Sequence, residues 1–294
     1  MLIDIHVHSE HTPDGPALAD LVAAVRDKGL DGFCLTDVHT VAGGPEAKRL
    51  AAAAGLTALV GFEALTDRGH FLVFVAEPDS LPAIDKWLRF DADGRIPFAS
   101  LAEAVETRDG VIIAAHPYDR DIDRAPGDSV VQLDAVGAIE VNNARRSQLV
   151  NELAEEVASG TGLPGVAGSD ARHGLGDIGR VASLVEGQLD GEVDLIDRIR
   201  SFQIWPVTIG GSTPGDAHPK KRPSGGGRGR SRRSSSGEGR GRSGAGKGSD
   251  RKRRSGRDGK SRRRGGRRQE SAGPRATAKT AAGDEKPSSG EKKS

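Results

Sequence analysis

Residues 1–11 read MLIDIHVHSEH, an apolar run that leads into three of the chain's eight histidines. The run predicts a buried first strand over residues 2–7. His6 and His8 lie two positions apart at its end, so the alternation of side chains along a strand directs both imidazoles to one face. The stretch therefore predicts that the first strand delivers a pair of imidazoles to a functional site.

Short apolar runs of the same kind recur along the chain. We predict strands over residues 2–7, 32–36, 57–62, 70–75, 111–115, 138–141 and 165–167. Helical patterns over residues 16–28, 45–54, 100–107 and 147–159 separate most of them, and Ser100 with Glu103 forms a capping box for the third helix. This alternation favours a parallel sheet in an α/β fold, and seven nearly continuously apolar strands favour a barrel with helices outside.

Polar side chains recur where the predicted strands end. They are Asp37 and His39, Glu63, His116, Glu140 and Asn142, and Asp170 with His173. In an α/β barrel the carboxyl ends of the strands open onto one rim, where active sites lie. His70 is the exception, because it opens the fourth predicted strand and requires that strand to run differently or to begin later.

The residue types at these strand ends indicate metal chemistry. Histidine together with carboxylate is the ligand set of Zn²⁺, Mn²⁺ or Fe²⁺, and the number of candidates implies two or more ions. Paired metals suit the hydrolysis of phosphate esters, because one ion generates hydroxide near neutral pH and both neutralise the phosphate oxygens.

Charge divides the chain into two parts. Of its 43 basic and 42 acidic residues, 26 basic and 7 acidic ones lie from Ala217 to Ser294, which leaves 17 basic and 35 acidic residues before that point. Beyond Ala217 there is no Val, Ile, Leu, Phe, Tyr or Trp, so we expect a disordered Gly/Ser/Arg/Lys-rich tail over residues 210–294 after a folded domain over residues 1–209. The tail suits contact with nucleic acid or the ribosome, without sequence preference. Two alternatives stay open: a tail that serves solubility, and a tether that folds back on the acidic domain of the same chain.

Other features of the sequence bear on the cellular compartment of the protein. Cys34 is the only cysteine, so no intrachain disulfide can form. A charge at Asp4 precedes any signal-peptide core, and no apolar run approaches the length of a membrane span. We therefore expect a cytoplasmic protein without a membrane partner, while its oligomeric state stays open.

Several motifs follow one another along residues 1–185. They are DIHVH at 4–8, LTD at 35–37, TVAG at 40–43, GFE at 61–63, His70, AAHP at 114–117, IEVNN at 139–143 and GSDA at 168–171. This series resembles the PHP (polymerase and histidinol phosphatase) superfamily of metallophosphoesterases. The resemblance implies a distorted (β/α)7 barrel of the PHP type and a cluster of two or three divalent metal ions.

The resemblance also assigns ligands by position. Those implied for the first metal are His6, His8, Glu63 and Asp170. The second metal would share Glu63 and add His70 and His116. A third metal would take one ligand near His11 or Asp14.

Two departures from the family pattern concern this third metal. The family reads Thr-Asp-His where this chain has Thr36-Asp37-Val38-His39, and it reads Ser-Asp-Ala-His where this chain has Ser169-Asp170-Ala171-Arg172-His173. Either His39 and His173 replace the usual ligands from one position along, or the third metal is absent. In the second case Arg172 would bind a substrate phosphate, and His39 or His173 would act as general acid. We favour a two-metal core.

These inferences predict a metal-dependent phosphoesterase that hydrolyses phosphate esters, with nucleotides or oligonucleotide ends as substrates. Arg145 and Arg146, after the IEVNN motif, are further candidates to neutralise phosphate oxygens. One alternative is a small-molecule phosphatase of the histidinol phosphate type. Another is a nucleic-acid-binding protein whose domain has lost catalysis along with its third metal.

Overall fold

Among residues 1–210, the part of the chain that the computed structural model describes, ten strands and six α-helices form two sheets and their covering layers. The disorder and the nucleic-acid contact predicted for the basic tail concern residues that lie outside this range, and the domain boundary after residue 209 stays a prediction. None of the described helices is long and apolar enough to cross a membrane.

The first sheet has the histidine-bearing strand at its centre. In spatial order its strands are β10 (Ile204–Thr208), β9 (Val181–Val185), β1 (Leu2–Val7), β2 (Gly32–Leu35) and β3 (Thr57–Val60). The strands β1, β2 and β3 run parallel as predicted, whereas β9 is antiparallel to β1 and to β10. The sequence patterns did not predict β9 and β10.

The second sheet explains the position of His70. In spatial order its strands are β4 (Phe62–Thr66), β5 (Gly69–Phe74), β6 (Val111–Ala114), β7 (Val136–Asn143) and β8 (Gly165–Gly168). β6, β7 and β8 are parallel, but β5 is antiparallel to both β4 and β6. The start of β5 therefore lies beside the carboxyl end of β6, and Ala115 donates its N–H to His70 O over 3.1 Å. Of the two explanations for His70, a strand that runs differently is the correct one.

The predicted barrel is confirmed only as a mixed α/β fold, because strand pairing divides the described strands into two sheets. Isolated parallel bridges join Val38 to Glu63 and Val7 to Ala171, and each bridge links one sheet to the other. Apolar side chains of both sheets also share one core, in which Ile5 of β1 and Ile113 of β6 are fully buried. The two sheets therefore enclose a common interior.

The helices are α1 (Leu18–Asp27), α2 (Gly44–Ala53), α3 (Ile84–Trp87), α4 (Phe98–Glu106), α5 (Gln148–Thr161) and α6 (Glu192–Arg200). Each of the longer ones buries an apolar face; in α1 this face is Leu18, Leu21, Val22 and Val25. Ser147 caps α5, since its side chain accepts the Val150 N–H. The predicted Ser100 cap is wrong, because α4 begins at Phe98 after Pro97 and Ser100 already lies inside its first turn.

Candidate metal centre

The end of β1 brings His6 and His8 against Asp170, which follows β8. The Nε2 atoms of His6 and His8 lie 3.2 Å apart. Asp170 Oδ1 is 3.6 Å from His8 Nε2 and 3.9 Å from His6 Nε2. All three residues are buried, so this corner of the fold gathers three potential ligands away from bulk water.

A second group surrounds Glu63 in β4. Its Oε1 is 2.9 Å from His70 Nδ1 and 3.6 Å from His116 Nε2. Its Oε2 is 3.6 Å from His8 Nε2, so the carboxylate also reaches the first group. The structure thus brings together the six residues that the family resemblance implied as ligands of two metals, which are His6, His8, Glu63, His70, His116 and Asp170.

The donor set fits divalent cations. Ligand atoms of His6, His8 and Asp170 lie within 4.8 Å of one another, and so do those of His6, Glu63 and His116. Two neutral imidazoles whose Nε2 atoms face each other at 3.2 Å need a proton or a cation between them, because two lone pairs would repel. A bound cation would satisfy both nitrogens and the adjacent carboxylates at once.

The surrounding charges keep the cluster's carboxylates ionised. Burial raises the pKa of Glu63, but hydrogen bonds from His116 and His70 outweigh burial and hold that pKa well below its usual range. Burial also opposes ionisation of Asp170, yet His8, His6, His116 and Arg146 lower its pKa. Both side chains therefore offer the anionic form that a metal requires.

Glu140 in β7 orients two of these histidines. Its Oε1 is 2.9 Å from His6 Nδ1. Its Oε2 accepts the backbone N–H of His116 over 2.8 Å. Burial lowers the pKa of His6, but the Glu140 carboxylate outweighs it and raises this pKa to about 9. Because Glu140 engages Nδ1, it leaves Nε2 of His6 directed at the cluster.

A chain of amides supports Glu140 from behind. Asn143 Nδ2 donates to Glu140 Oε2 over 3.0 Å. Asn151 in α5 accepts the Asn143 N–H at 3.2 Å and donates to Asn143 O at 3.1 Å. Asn151 also donates to Asn142 Oδ1, and Asn142 donates to Thr208 Oγ1. Hydrogen bonds therefore connect helix α5 and strand β10 with His6.

Two arginines that follow β7 contact Asp170. Arg146 Nη2 donates to Asp170 Oδ2 over 2.9 Å, and Arg146 Nε lies 2.9 Å from Asp119 Oδ2. Arg145 Nη1 donates to the backbone O of Asp170 over 3.2 Å. The guanidinium of Arg146 is thus fixed between two carboxylates rather than free to follow a substrate.

Backbone strain marks two of the six residues that form the cluster. His116 has φ 31° and Asp170 has φ 52°, both in the left-handed region that residues other than glycine rarely adopt. Each such residue costs about 1–3 kcal/mol and persists only where its surroundings impose it, as at binding sites. The fold therefore holds these two side chains in place at the expense of backbone energy.

The carboxylate of Asp37 accepts hydrogen bonds from three protein donors. Oδ1 accepts the Ser9 N–H and the Thr12 hydroxyl, both over 2.7 Å, and Oδ2 accepts the Ser9 hydroxyl over 2.6 Å. Thr12 Oγ1 is also 3.4 Å from His8 Nδ1. Asp37 therefore anchors the loop after β1 beneath His8.

His39 lies beside the cluster without joining it. Its backbone, with φ 54°, donates to Glu63 O over 3.0 Å, and its Nε2 accepts the Leu65 N–H over 2.9 Å. Its ring packs edge-to-face on Phe90 at 4.9 Å. Burial lowers the pKa of His39. With Nε2 engaged in this way, the structure does not bring the predicted catalytic His39 to the metal ligands.

The remaining candidates lie at the surface. Asp14 and His11 are exposed, and among residues 1–210 neither belongs to the groups of potential ligand atoms that lie within 4.8 Å of one another. Arg172 Nε donates to Pro13 O over 3.4 Å, and His173 is exposed. The structure thus does not assemble a third metal site from Asp14, His39 and His173.

The sequence patterns included Glu140 only among the polar residues at strand ends, without a role behind His6, and they gave no site role to Asn151 or Asp119. The IEVNN motif places Glu140 at the end of a strand, as for Glu63, and this signal was available. Asn151 and Asp119 carry no comparable signal, because their partners Asn143 and Arg146 are brought to them only by the packing of α5 and of the loop after β6.

A mixed α/β fold with a buried histidine and carboxylate cluster at the strand ends defines a candidate metal-dependent hydrolase. Residues 4–115 match the PHP domain model and residues 148–204 match the PHP-associated model, so these parts of the chain belong to the PHP family.

Known proteins resemble this chain in sequence or in fold. An uncharacterized protein of Methanocaldococcus jannaschii, MJ1587, is 26% identical over 165 residues, which are 52% of this chain and 89% of that protein. Among solved structures, a proposed metal-dependent phosphoesterase of Bifidobacterium adolescentis has a TM-score of 0.50 at 20% identity, over 68% of this chain and 96% of that one.

Two further structures share the fold. A two-domain protein of Bacteroides vulgatus that contains a predicted PHP-like metal-dependent phosphoesterase has a TM-score of 0.53 at 14% identity, over 71% of this chain and 65% of that one. An amidohydrolase of Chromobacterium violaceum with bound sulfate and no metal has a TM-score of 0.50 at 18% identity, over 73% of this chain and 99% of that one.

Proposed function

We propose that the chain hydrolyses phosphate esters of nucleotides or of oligonucleotide ends with the help of two divalent metal ions. The observation that supports this most directly is the convergence of His6, His8, Glu63, His116 and Asp170 into two overlapping groups of ligand atoms. Membership of the PHP family favours a phosphate ester over other hydrolysable bonds.

We further propose that the two sheets are the halves of a distorted (β/α)7 barrel. The bridges from Val38 to Glu63 and from Val7 to Ala171 support this, because they lie where the sheets would close. The shared core supports it as well, since strands of both sheets contribute to it. In such a barrel the cluster occupies the rim at the carboxyl ends of the strands.

The ligands would divide between two ions. His6, His8, Glu63 and Asp170 would hold one ion, and the other would share Glu63 and add His70 and His116. Mn²⁺, Zn²⁺ or Fe²⁺ suits this set. When bound, such ions stabilise negative charge on phosphate oxygens and lower the pKa of water. Asp14 remains exposed, so the proposal is for two ions rather than three.

Residues of the rim would act on the substrate itself. Arg172 and His173 lie two and three residues after Asp170 and have no hydrogen bond to the cluster among the described residues. The guanidinium of Arg172 would bind phosphate oxygens, and His173 would donate a proton to the leaving oxygen. Arg145 would add positive charge beside Asp170, whereas Arg146 would hold that carboxylate in position.

The basic residues after Ala217 support nucleic acid as the partner. They give that part of the chain a net charge of about +19, against about −18 for the residues before it. Phosphate contacts of this kind would bring oligonucleotide ends to the domain, and their affinity would fall steeply with salt.

The experiment is metal analysis of purified protein together with hydrolysis of a chromogenic phosphodiester and a monoester in added Mn²⁺. We expect two ions per chain and turnover that is lost in His8→Ala. Turnover should be kept in Glu155→Gln, a control substitution on the exposed face of α5. Turnover of histidinol phosphate alone would favour the small-molecule phosphatase. A chain without metal and without turnover would contradict the enzyme proposal and favour the binding protein.

A further inference from the structure

A cavity of about 520 Å³ lies between the loop after β2 and the segment that joins β5 to α4. It is lined by residues 39–42, residues 81–85 and Phe90. Its walls are mostly apolar, with Val41, Leu81 and Ile84 among them, and its polar groups are few. This volume and composition are those of a site for a small organic molecule.

One wall of the cavity is shared with the candidate metal centre. His39 lines the cavity, and its backbone N–H donates to Glu63 O. Its ring nitrogen Nε2 accepts the backbone N–H of Leu65. Leu65 pairs directly with His70 across the β4–β5 ladder. An occupant of the cavity would therefore be separated from Glu63 by His39, and from His70 by His39 and Leu65.

The polar groups of this wall suit a neutral ring with a hydrogen-bond acceptor. Because His39 Nε2 accepts the Leu65 N–H, the neutral imidazole carries its proton on Nδ1. Among the described residues Nδ1 has no hydrogen-bond partner, so it is available as a donor. Phe90 meets the His39 ring edge-to-face and adds an aromatic surface. Asp85, also in the lining, disfavours an anion, so a phosphate group would stay outside.

We propose that this cavity binds the nucleobase of the substrate, with Phe90 as its stacking surface and His39 as its hydrogen-bond donor. This inference rests on the proposed function, because the phosphate of the same molecule would lie at the metal centre. His39 would then determine specificity instead of acting on the reacting atoms.

The test compares two esters of the same phosphate, adenosine 5′-monophosphate and ribose 5-phosphate, which differ in the base. Full-length protein in Mn²⁺ should show the higher kcat/KM for the nucleotide. Phe90→Ala should lower kcat/KM for the nucleotide about 10- to 100-fold through KM, the range that stacking on an aromatic side chain provides. The same variant should leave ribose 5-phosphate hydrolysis unchanged, which would show that the fold and the metal centre are intact.

Two further variants complete the test. Ala83→Phe fills the cavity from an exposed position and should have the same selective effect, whereas Phe202→Ala removes an exposed ring outside the cavity and should have none. Equal losses on both substrates, or no preference for the nucleotide in the unaltered protein, would overturn the proposal.

Calorimetric titration with adenosine separates this inference from the proposed function. Should neither ester be hydrolysed, adenosine binding that disappears in Ala83→Phe would still support the base site while contradicting the phosphoesterase. Absence of adenosine binding together with absence of nucleotide preference would refute the base site, whatever the activity of the metal centre.

Discussion

The imidazole of His6 and the carboxylate of Glu140 form a fully buried pair, with Nδ1 2.9 Å from Oε1. The pair joins the two sheets, since His6 belongs to β1 and Glu140 to β7. It also fixes the ring of His6 so that Nε2 meets His8 and Asp170. A carboxylate behind a metal-binding imidazole sets its orientation and its basicity.

Glu140→Gln should weaken metal binding about 10- to 100-fold, because residues behind metal ligands have effects of this size. The amide keeps the shape of the side chain but loses the charge that supports His6. Metal titration with a competing chelator measures the change. Glu155→Gln, the same substitution on the exposed surface of α5, should leave the affinity unaltered. Equal affinities for all three proteins would exclude a role for Glu140 at the site.

Metal affinity should rise with pH up to about 9. Burial lowers the pKa of His6, but Glu140 raises it from 6.5 to about 9, so in metal-free protein the ring is protonated at neutral pH. The pair of charged His6 and Glu140 stabilises the folded metal-free protein fully below pH 6.5. This stabilisation is lost as the pH rises through about 9. A metal requires the neutral ring, so each unit of pH should increase the apparent affinity about tenfold below that value.

Titrations with Mn²⁺ at about pH 6.5, 7.5 and 8.5 would measure this slope. In Glu140→Gln the slope should flatten above neutral pH, because the pKa of His6 would return toward its ordinary value. An affinity independent of pH in the unaltered protein would show that His6 binds no metal.

Asn151→Ala should lower both stability and metal affinity. The substitution leaves the backbone N–H and O of Asn143 without their buried partners, which costs about 1–3 kcal/mol. Asn143 would then hold Glu140 less firmly, so the loss should extend to metal binding. Denaturant unfolding and metal titration measure the two effects. Gln148→Ala, on the exposed face of the same helix, should change neither.

Gly168→Ala should disrupt the site by steric overlap with His6, although it removes no ligand. A Cβ at Gly168 would overlap His6 Cβ and lie 2.8 Å from His6 N, so β1 and β8 would have to separate. We expect a loss of metal affinity and a lower melting temperature. Gly160→Ala is the matched control, because its Cβ meets nothing within 4 Å in α5, and it should stabilise the helix by about 0.5–1 kcal/mol. Similar melting temperatures for the two variants would contradict this prediction.

The meeting of the residues of the candidate metal centre could be predicted from the sequence because its signals are local. His6 and His8 share a face through the period of a strand, and Glu63, His116 and Asp170 stand at or just beyond the ends of apolar runs. Such patterns depend on neighbouring residues only. The parallel pairing of β1, β2 and β3 followed from the helices between them in the same way.

Other features could not be predicted, because they arise from contacts between distant segments. The apolar run from Thr57 to Thr66 forms β3 in one sheet and β4 in the other, with Gly61 between them, and no local signal marks this change of sheet. The position of His39 depends on a left-handed φ and on the Leu65 N–H. Residues that pair through packing, such as Asn151 and Asn143, have no sequence pattern to mark them.

The short turn between β4 and β5 limits how this protein can vary. Thr66 pairs with Gly69, and only Asp67 and Arg68 lie between them, with the Thr66 hydroxyl bonded to both Gly69 O and the Arg68 N–H. Glu63 and His70 face the same site from the two arms of this hairpin. One inserted residue in an arm would turn a ligand to the opposite face. Loop grafting and natural insertions should therefore be tolerated in the longer connection from β5 to α4, where they could reshape the cavity, but not in this hairpin.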